Sequence, residues 1–238
     1  MNNPVAPRQD PVNIAILVAP GWMPLDVLGA QTAFALLPGV EFHFVGKTLD
    51  DVPAFPPLPA HATTTFGNCP QDLDALLVGA VGHETFDDPE TLDFLADRAD
   101  STRFLGGICT GALLLGAAGL LDGYRATTNH HAHHLLPLVG AIPEQANVVR
   151  DRNRLTAGPI SGSIELGLHL VRDLFDEETA RTQEYVLEYA PEAVYGVGHP
   201  RVADPAYGER VETHYAPLLA AMESLGETVA RRFTERAV

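Results

Sequence analysis

A three-layer α/β sandwich, with a mostly parallel central sheet between two helical layers and a helical arm at the C-terminal end, is the fold class this sequence predicts. Three observations carry it. Short uninterrupted runs of aliphatic and β-branched residues suit strands buried on both faces. Segments of helical period separate those runs, and alternation of the two implies βαβ units whose strands lie parallel. The 238 residues, 46% hydrophobic and 19% charged, also suffice for the core that such a fold needs.

Val12 to Ala19, bounded by Pro11 and Pro20-Gly21, is the first such run and predicts a central strand. Leu25, Leu28, Ala33, Leu36 and Leu37 follow at helical spacing and stop at Pro38-Gly39, predicting a helix over Leu25 to Leu37. Val40 to Gly46 reads as a second strand. Asp51 to Pro59 is a proline-rich extended loop, and Thr63 to Phe66 a short threonine-rich strand or hairpin. Leu73 to Val78 repeats the buried-strand pattern, and Asp88-Pro89-Glu90 opens a helix to about Ala99. Phe104 to Ile108 runs into Cys109 and then, almost without a loop, into a Gly/Ala/Leu-rich helix ending near Leu121-Asp122-Gly123. A helical patch at His131 to Val139, a hairpin over Asn147 to Ala157 turning at Asp151-Arg152-Asn153-Arg154, and helices over Ser163 to Phe175 and Glu177 to Tyr189 complete a domain expected over 12–190. Residues 1–11 read as a flexible polar tail. Pro191 to Tyr207 has no period, and Glu209 to Glu235 is acidic and amphipathic. The arm over 191–238 therefore either packs on the domain or reaches a partner subunit.

Charge narrows the function. Fifteen Lys and Arg against 31 Asp and Glu give a net charge of −16, so the average surface repels phosphate backbones and anionic lipid. Neither nucleic acid nor membrane is expected as a partner. The richest apolar run, Gly111 to Leu121, falls short of the roughly 20 residues that span a bilayer. Met1 to Asn13 lacks the pattern of a secretory signal, so a cytoplasmic location is expected. Cys69 and Cys109 are accordingly read as free thiols.

The chemistry concentrates at Cys109. Gly107-Ile108-Cys109-Thr110-Gly111 has the G-x-nucleophile-x-G form of a nucleophile elbow, and it sits at the carboxyl end of a strand, where open α/β sheets bind ligands. The helix start beyond it is expected to favour thiolate over thiol. The Thr110 N–H, first after the nucleophile, suits an anion-stabilising donor. Cys69, in the turn-like Gly67-Asn68-Cys69-Pro70, reads as a bystander. His130, His131, His133 and His134 form a dense cluster, but no Cys, Asp or Glu nearby completes a metal site, so a solvated or pocket-lining role is expected and no metal. Asp26 alone reads as a carboxylate placed in the first turn of a helix.

Residues 107–128 resemble the cysteine elbow of the ThiJ/PfpI family, within the class I glutamine amidotransferase-like superfamily. Pro20 to Gly29 resembles the stretch after the first strand in its isocyanide hydratase branch, and Gly140 to Pro143, Val149 to Asp151 and Leu187 to Pro191 carry further likeness, so the similarity spans about residues 12 to 191. The resemblance implies a flavodoxin-like sheet, a homodimer, a small-molecule substrate and no metal or organic cofactor. It also implies that Asp26 faces Cys109 and handles protons in the hydration of an isocyanide to an N-substituted formamide. A glyoxalase or deglycase activity on reactive carbonyls, or a cysteine stress sensor without turnover, are the alternatives within the family. Where the family has Pro-Gly-Gly after a strand, this chain has Val78-Gly79-Ala80-Val81-Gly82, so a second anion donor is expected at Gly79, Ala80 or Val81. Where many relatives have Thr-Thr-His-Trp, it has Thr127-Thr128-Asn129-His130. Asn129 and His130 are thus expected to line the pocket, with no Cys-His pair at that position. His83 and Glu84 are further candidates to line it.

Overall fold

β1 (Val12–Leu17) is buried along nearly its whole length because it is flanked on both edges and covered on both faces. In the computed structural model, which describes residues 11–214 and 216–236, it pairs in parallel with β2 (Val40–Gly46) on one side and β4 (Ala75–Val78) on the other. The tail expected over 1–11 lies outside the described residues except for Pro11. Between these strands come α1 (Pro24–Ala33) and the two-residue β3 (Thr64–Thr65), which pairs with β2. The chain continues through α2 (Pro89–Ala99), β5 (Phe104–Ile108), α3 (Gly111–Ala117), the small ribbon of β6 (Arg125–Ala126) and β7 (Ile142–Pro143), and the hairpin of β8 (Val148–Asp151) and β9 (Arg154–Ala157). Four helices close it: α4 (Gly162–Leu174), α5 (Glu177–Val186), α6 (Ala206–His214) and α7 (Ala216–Arg236). The sheet order is β3-β2-β1-β4-β5-β9-β8, parallel throughout except where β8 turns back on β9.

The two faces of the sheet have separate cores. Ile14, Ile16, Leu77 and Leu155 meet Val27 and Ala30 of α1 and Leu166 and Leu170 of α4. Leu17, Leu76 and Leu105 face α2, α3 and, through Leu225 and Val229, α7. The arm therefore packs on its own domain. Arg232 of α7 donates to the Asp87 carbonyl at 2.7 Å and pairs with its carboxylate, while Arg236 reaches Asp93 at 2.7 Å. Among the described residues no helix is long and apolar enough to cross a membrane.

Several helix ends differ from the sequence expectation. The helix after Cys109 stops at Ala117, not near Leu121 to Gly123, because Gly119 takes a left-handed φ of 79° and the Leu120 N–H turns back to the Leu115 carbonyl, a glycine-terminated cap. The first helix stops at Ala33, short of Leu37, where Leu36 adopts φ 66° and points outward. The patch at 131–139 is a tighter 3₁₀ turn, His133–Val139, with Pro137 inside it. The start of α2 matches closely: Asp88 caps it by accepting from the Thr91 N–H, with Pro89 next.

Candidate active site

The sheet order reverses beside β1: from it the chain proceeds outward to β2, and from β4 it proceeds the other way to β5. Such a switch point leaves a crevice at the carboxyl ends of the strands. Three loops meet there. The segment after β1 leads into α1, that after β4 carries Gly79 and Ala80, and that after β5 is the single turn at Cys109. The first two are tied together, since the Met23 N–H donates to the Ala80 carbonyl at 2.9 Å and the Gly82 N–H to the Pro20 carbonyl at 2.7 Å.

Cys109 has φ 54°, a left-handed conformation that costs a non-glycine residue about 1–2 kcal/mol. Its surroundings hold it there. Its N–H donates to the Ala157 carbonyl at 2.9 Å, and its own carbonyl accepts from the Thr128 hydroxyl at 2.6 Å. The helix beyond begins against the end of β4. A Cβ on Gly111 would overlap the Val78 carbonyl oxygen and stand 2.6 Å from that of Gly79, so this close approach requires glycine.

Asp26, in the first turn of α1, has no exposed surface. One carboxylate oxygen accepts the Ala80 N–H at 2.7 Å, and the other has no hydrogen-bond partner among the described residues. Burial pushes this carboxyl up to about 7, with the Ala80 hydrogen bond opposing. The helix is clamped by Ser163 of α4, whose hydroxyl donates to the Leu25 carbonyl at 2.8 Å where Gly29 leaves room for it.

Cys109 is 7% exposed, and its thiol is pushed up to about 12, by burial first and by the Asp26 charge second. The Thr110 N–H and the Asn129 side-chain amide, 3.5 Å from the sulfur, act in the opposite direction. The expectation that the helix start favours thiolate is therefore corrected: the desolvated sulfur beside a carboxylate outweighs a seven-residue helix and two donors.

The remaining sequence candidates divide by location. Thr110 and Asn129 touch the sulfur, and the Asn129 side-chain Oδ1 accepts the His131 N–H at 2.9 Å, which fixes its amide nitrogen towards Cys109. Gly79 backs Asp26 closely enough that a Cβ there would lie 2.8 Å from the Asp26 Cβ, while the Ala80 N–H is engaged by the carboxylate itself. His130 lies at the rim, its ring 3.8 Å from that of His131 and 5.9 Å from that of His199. His83 lies elsewhere: its Nε2 is 3.3 Å from the Thr228 hydroxyl and 3.4 Å from that of Ser224 on α7. Glu84 lines a different cleft, with Lys47 and Asp88. Cys69 is buried in the other core layer, near Arg98. Sequence reasoning missed Thr128 as the clamp on the elbow, although the Thr-Thr pair signalled it, and missed His199, which no local pattern marks.

Residues 12–173 match the DJ-1/PfpI family. Over 227 residues the chain is 38% identical to the isonitrile hydratase of Pseudomonas putida, a match that takes in 94% of this chain and 99% of that one. The crystal structure of a ThiJ/PfpI family protein from Pseudomonas syringae superposes with a TM-score of 0.85 at 34% identity, covering 91% of this chain and 90% of that one. An AraC family transcriptional regulator from Pseudomonas putida superposes with a TM-score of 0.65 at 28% identity, over 74% of this chain and all of that chain. On the sheet order, the strained cysteine elbow and these matches together, the chain belongs to the DJ-1/PfpI family.

Proposed function

We propose that this protein is an isocyanide hydratase that converts an isocyanide and water to an N-substituted formamide with Cys109 as nucleophile, Asp26 as proton carrier and no cofactor. The observation that carries the reading is the buried Asp26 carboxyl whose charge bears directly on the Cys109 thiol. Two groups coupled in this way titrate as a unit. Above about pH 7 the pair holds one proton. Its reactive arrangement has that proton on Asp26 and the charge on sulfur, where the Thr110 N–H and the Asn129 amide stabilise it.

The thiolate adds to the terminal isocyanide carbon, and that carbon takes the Asp26 proton, giving the thioimidate S–CH=N–R. Asp26, now a carboxylate, accepts a proton from a water molecule as its oxygen adds to the same carbon, and the proton passes to nitrogen. In the tetrahedral S–CH(OH)–NH–R, the hydroxyl proton returns to Asp26 while the C–S bond breaks. The formamide leaves, and the pair is back in its starting arrangement.

Formamide production by purified wild-type, Cys109→Ala and Asp26→Asn protein tests the assignment. Cys109→Ala is expected to be inactive, because no thioimidate forms. Asp26→Asn is expected to lose roughly 10²- to 10⁴-fold in turnover, the usual worth of general acid–base catalysis. Undiminished activity in Cys109→Ala overturns the mechanism, and a wild type inert to isocyanides but active on methylglyoxal replaces it with reactive-carbonyl chemistry. We propose further that the protein works in the cytoplasm, where both free thiols persist, and as a homodimer, since Leu25, Leu36, Phe55 and Tyr185 leave large apolar side chains exposed. Light scattering at micromolar concentration is expected to give twice the 25.5 kDa of one chain, and a particle of 25.5 kDa alone refutes the dimer.

A further inference from the structure

A cleft of about 390 Å³ opens beside Asn129, the residue whose amide touches the Cys109 sulfur. Leu25 and Ile160 form its apolar side, and His199 closes it from the segment that follows α5. In a chain of net charge −16, no Asp, Glu, Lys or Arg among the described residues lines it.

Its polar groups are directional. His133 Nε2 lies 3.2 Å from the Glu144 carbonyl oxygen, which only accepts, so this nitrogen carries the hydrogen. Nδ1 is then the acceptor, and it faces the Gln145 side-chain nitrogen at 3.2 Å. The Gln145 amide oxygen is turned away from this ring. That oxygen and the Asn147 side chain belong to exposed residues at the solvent side of the cleft wall and have no protein partner among the described residues. His130 at the rim is pushed down to about 4, chiefly by burial, and is uncharged at neutral pH.

We infer that this cleft holds the substituent on the isocyanide nitrogen and selects a neutral substituent that both donates and accepts hydrogen bonds. The inference rests on the proposed hydration reaction. An apolar substituent displaces water from Gln145 and Asn147 and returns no hydrogen bond. A carboxylate finds no cation there, and an ammonium no carboxylate.

Three isocyanides of one shape test it: phenyl isocyanide, 4-isocyanophenol and 4-isocyanobenzoate. Because ring substituents also alter the reactivity of the carbon, affinities of the three corresponding formamides for Cys109→Ser are measured by calorimetry alongside kcat/KM. The phenol formamide is expected to bind about tenfold more tightly than the phenyl one, in line with one hydrogen-bonded group gained, and the carboxylate most weakly. In Gln145→Leu/Asn147→Leu the phenol advantage is expected to shrink to within about twofold. Equal affinities for all three, or a phenol advantage that survives the double substitution, overturn the subsite. The two readings separate cleanly. Turnover of all three isocyanides without discrimination sinks the subsite and spares the reaction, whereas discrimination among formamides without turnover of any isocyanide does the reverse.

Discussion

With no exposed surface and one N–H to satisfy it, the Asp26 carboxyl is a group whose ionisation the fold resists, and both activity and stability inherit that resistance. The reactive form of the pair is the singly protonated one, so kcat/KM is expected to rise through an inflection near pH 7 and then hold level, because the second proton leaves only towards pH 12. Asp26→Asn removes that inflection. It also removes the charge that raises the thiol, so Cys109 in this variant is expected to alkylate with iodoacetamide faster than wild type at pH 8, even as hydration falls. Slower alkylation contradicts the coupling. Stability carries the opposite sign. The folded carboxyl titrates near 7 and the unfolded one near 3.8, so between these values the folded state binds more protons and stability declines as pH rises, levelling off above 7. At about 1.4 kcal/mol per pH unit the full cost is on the order of 4 kcal/mol. Asp26→Asn is therefore expected to melt higher than wild type at pH 8 and no higher near pH 3, as read by thermal denaturation at the two values. Both residues were legible in the sequence: Cys109 from its flanking glycines and Asp26 from the family likeness. The direction of the thiol shift was not, because it depends on burial and on a carboxylate 83 positions away in the chain.

α1 and α4 meet through small residues, and that contact determines where Asp26 stands. A Cβ on Gly29 would overlap the Ser163 hydroxyl, and one on Gly167 would lie 2.7 Å from both the Ala30 carbonyl oxygen and the Ala33 Cβ. Gly167→Val is accordingly expected to drive the helices apart, lowering the melting temperature and turnover together and moving the pH inflection down from 7 as water reaches Asp26. A loss of stability with an unmoved inflection would show that α4 does not position Asp26. Element starts were legible because they are written locally: Asp88-Pro89 supplies a cap and a fixed φ, and Gly111 begins α3 directly after the elbow. Element ends were less so. α3 and α1 both terminate short of their apolar pattern, at left-handed turns that Gly119 and Leu36 adopt, and in Leu36 nothing about the residue type announces it.

Across the whole molecule, α7 completes the layer over α3 with Leu225 and Val229, which are 3% and 0% exposed. Leu225→Asp/Val229→Asp places unpaired carboxylates in that layer and is expected to cost about 3–5 kcal/mol in urea denaturation, whereas Arg231→Ala, which removes a surface ion pair with Asp87, is expected to leave the midpoint close to that of wild type. A double variant as stable as wild type would show that the arm is an appendage. The amphipathic pattern of 209–235 established a helix with a buried side but could not say which surface it covers, since the groove it fills is assembled from segments more than 80 residues earlier. A last consequence follows from the uncharged mouth of a strongly acidic body. The molecule's field presses anions away at a distance, yet exerts no net pull on an uncharged solute, and among the described residues no Asp, Glu, Lys or Arg lines the cleft. Capture of such a solute is then expected to be indifferent to the ionic strength of its surroundings, whereas the approach of an anion is expected to quicken as salt screens the acidic body.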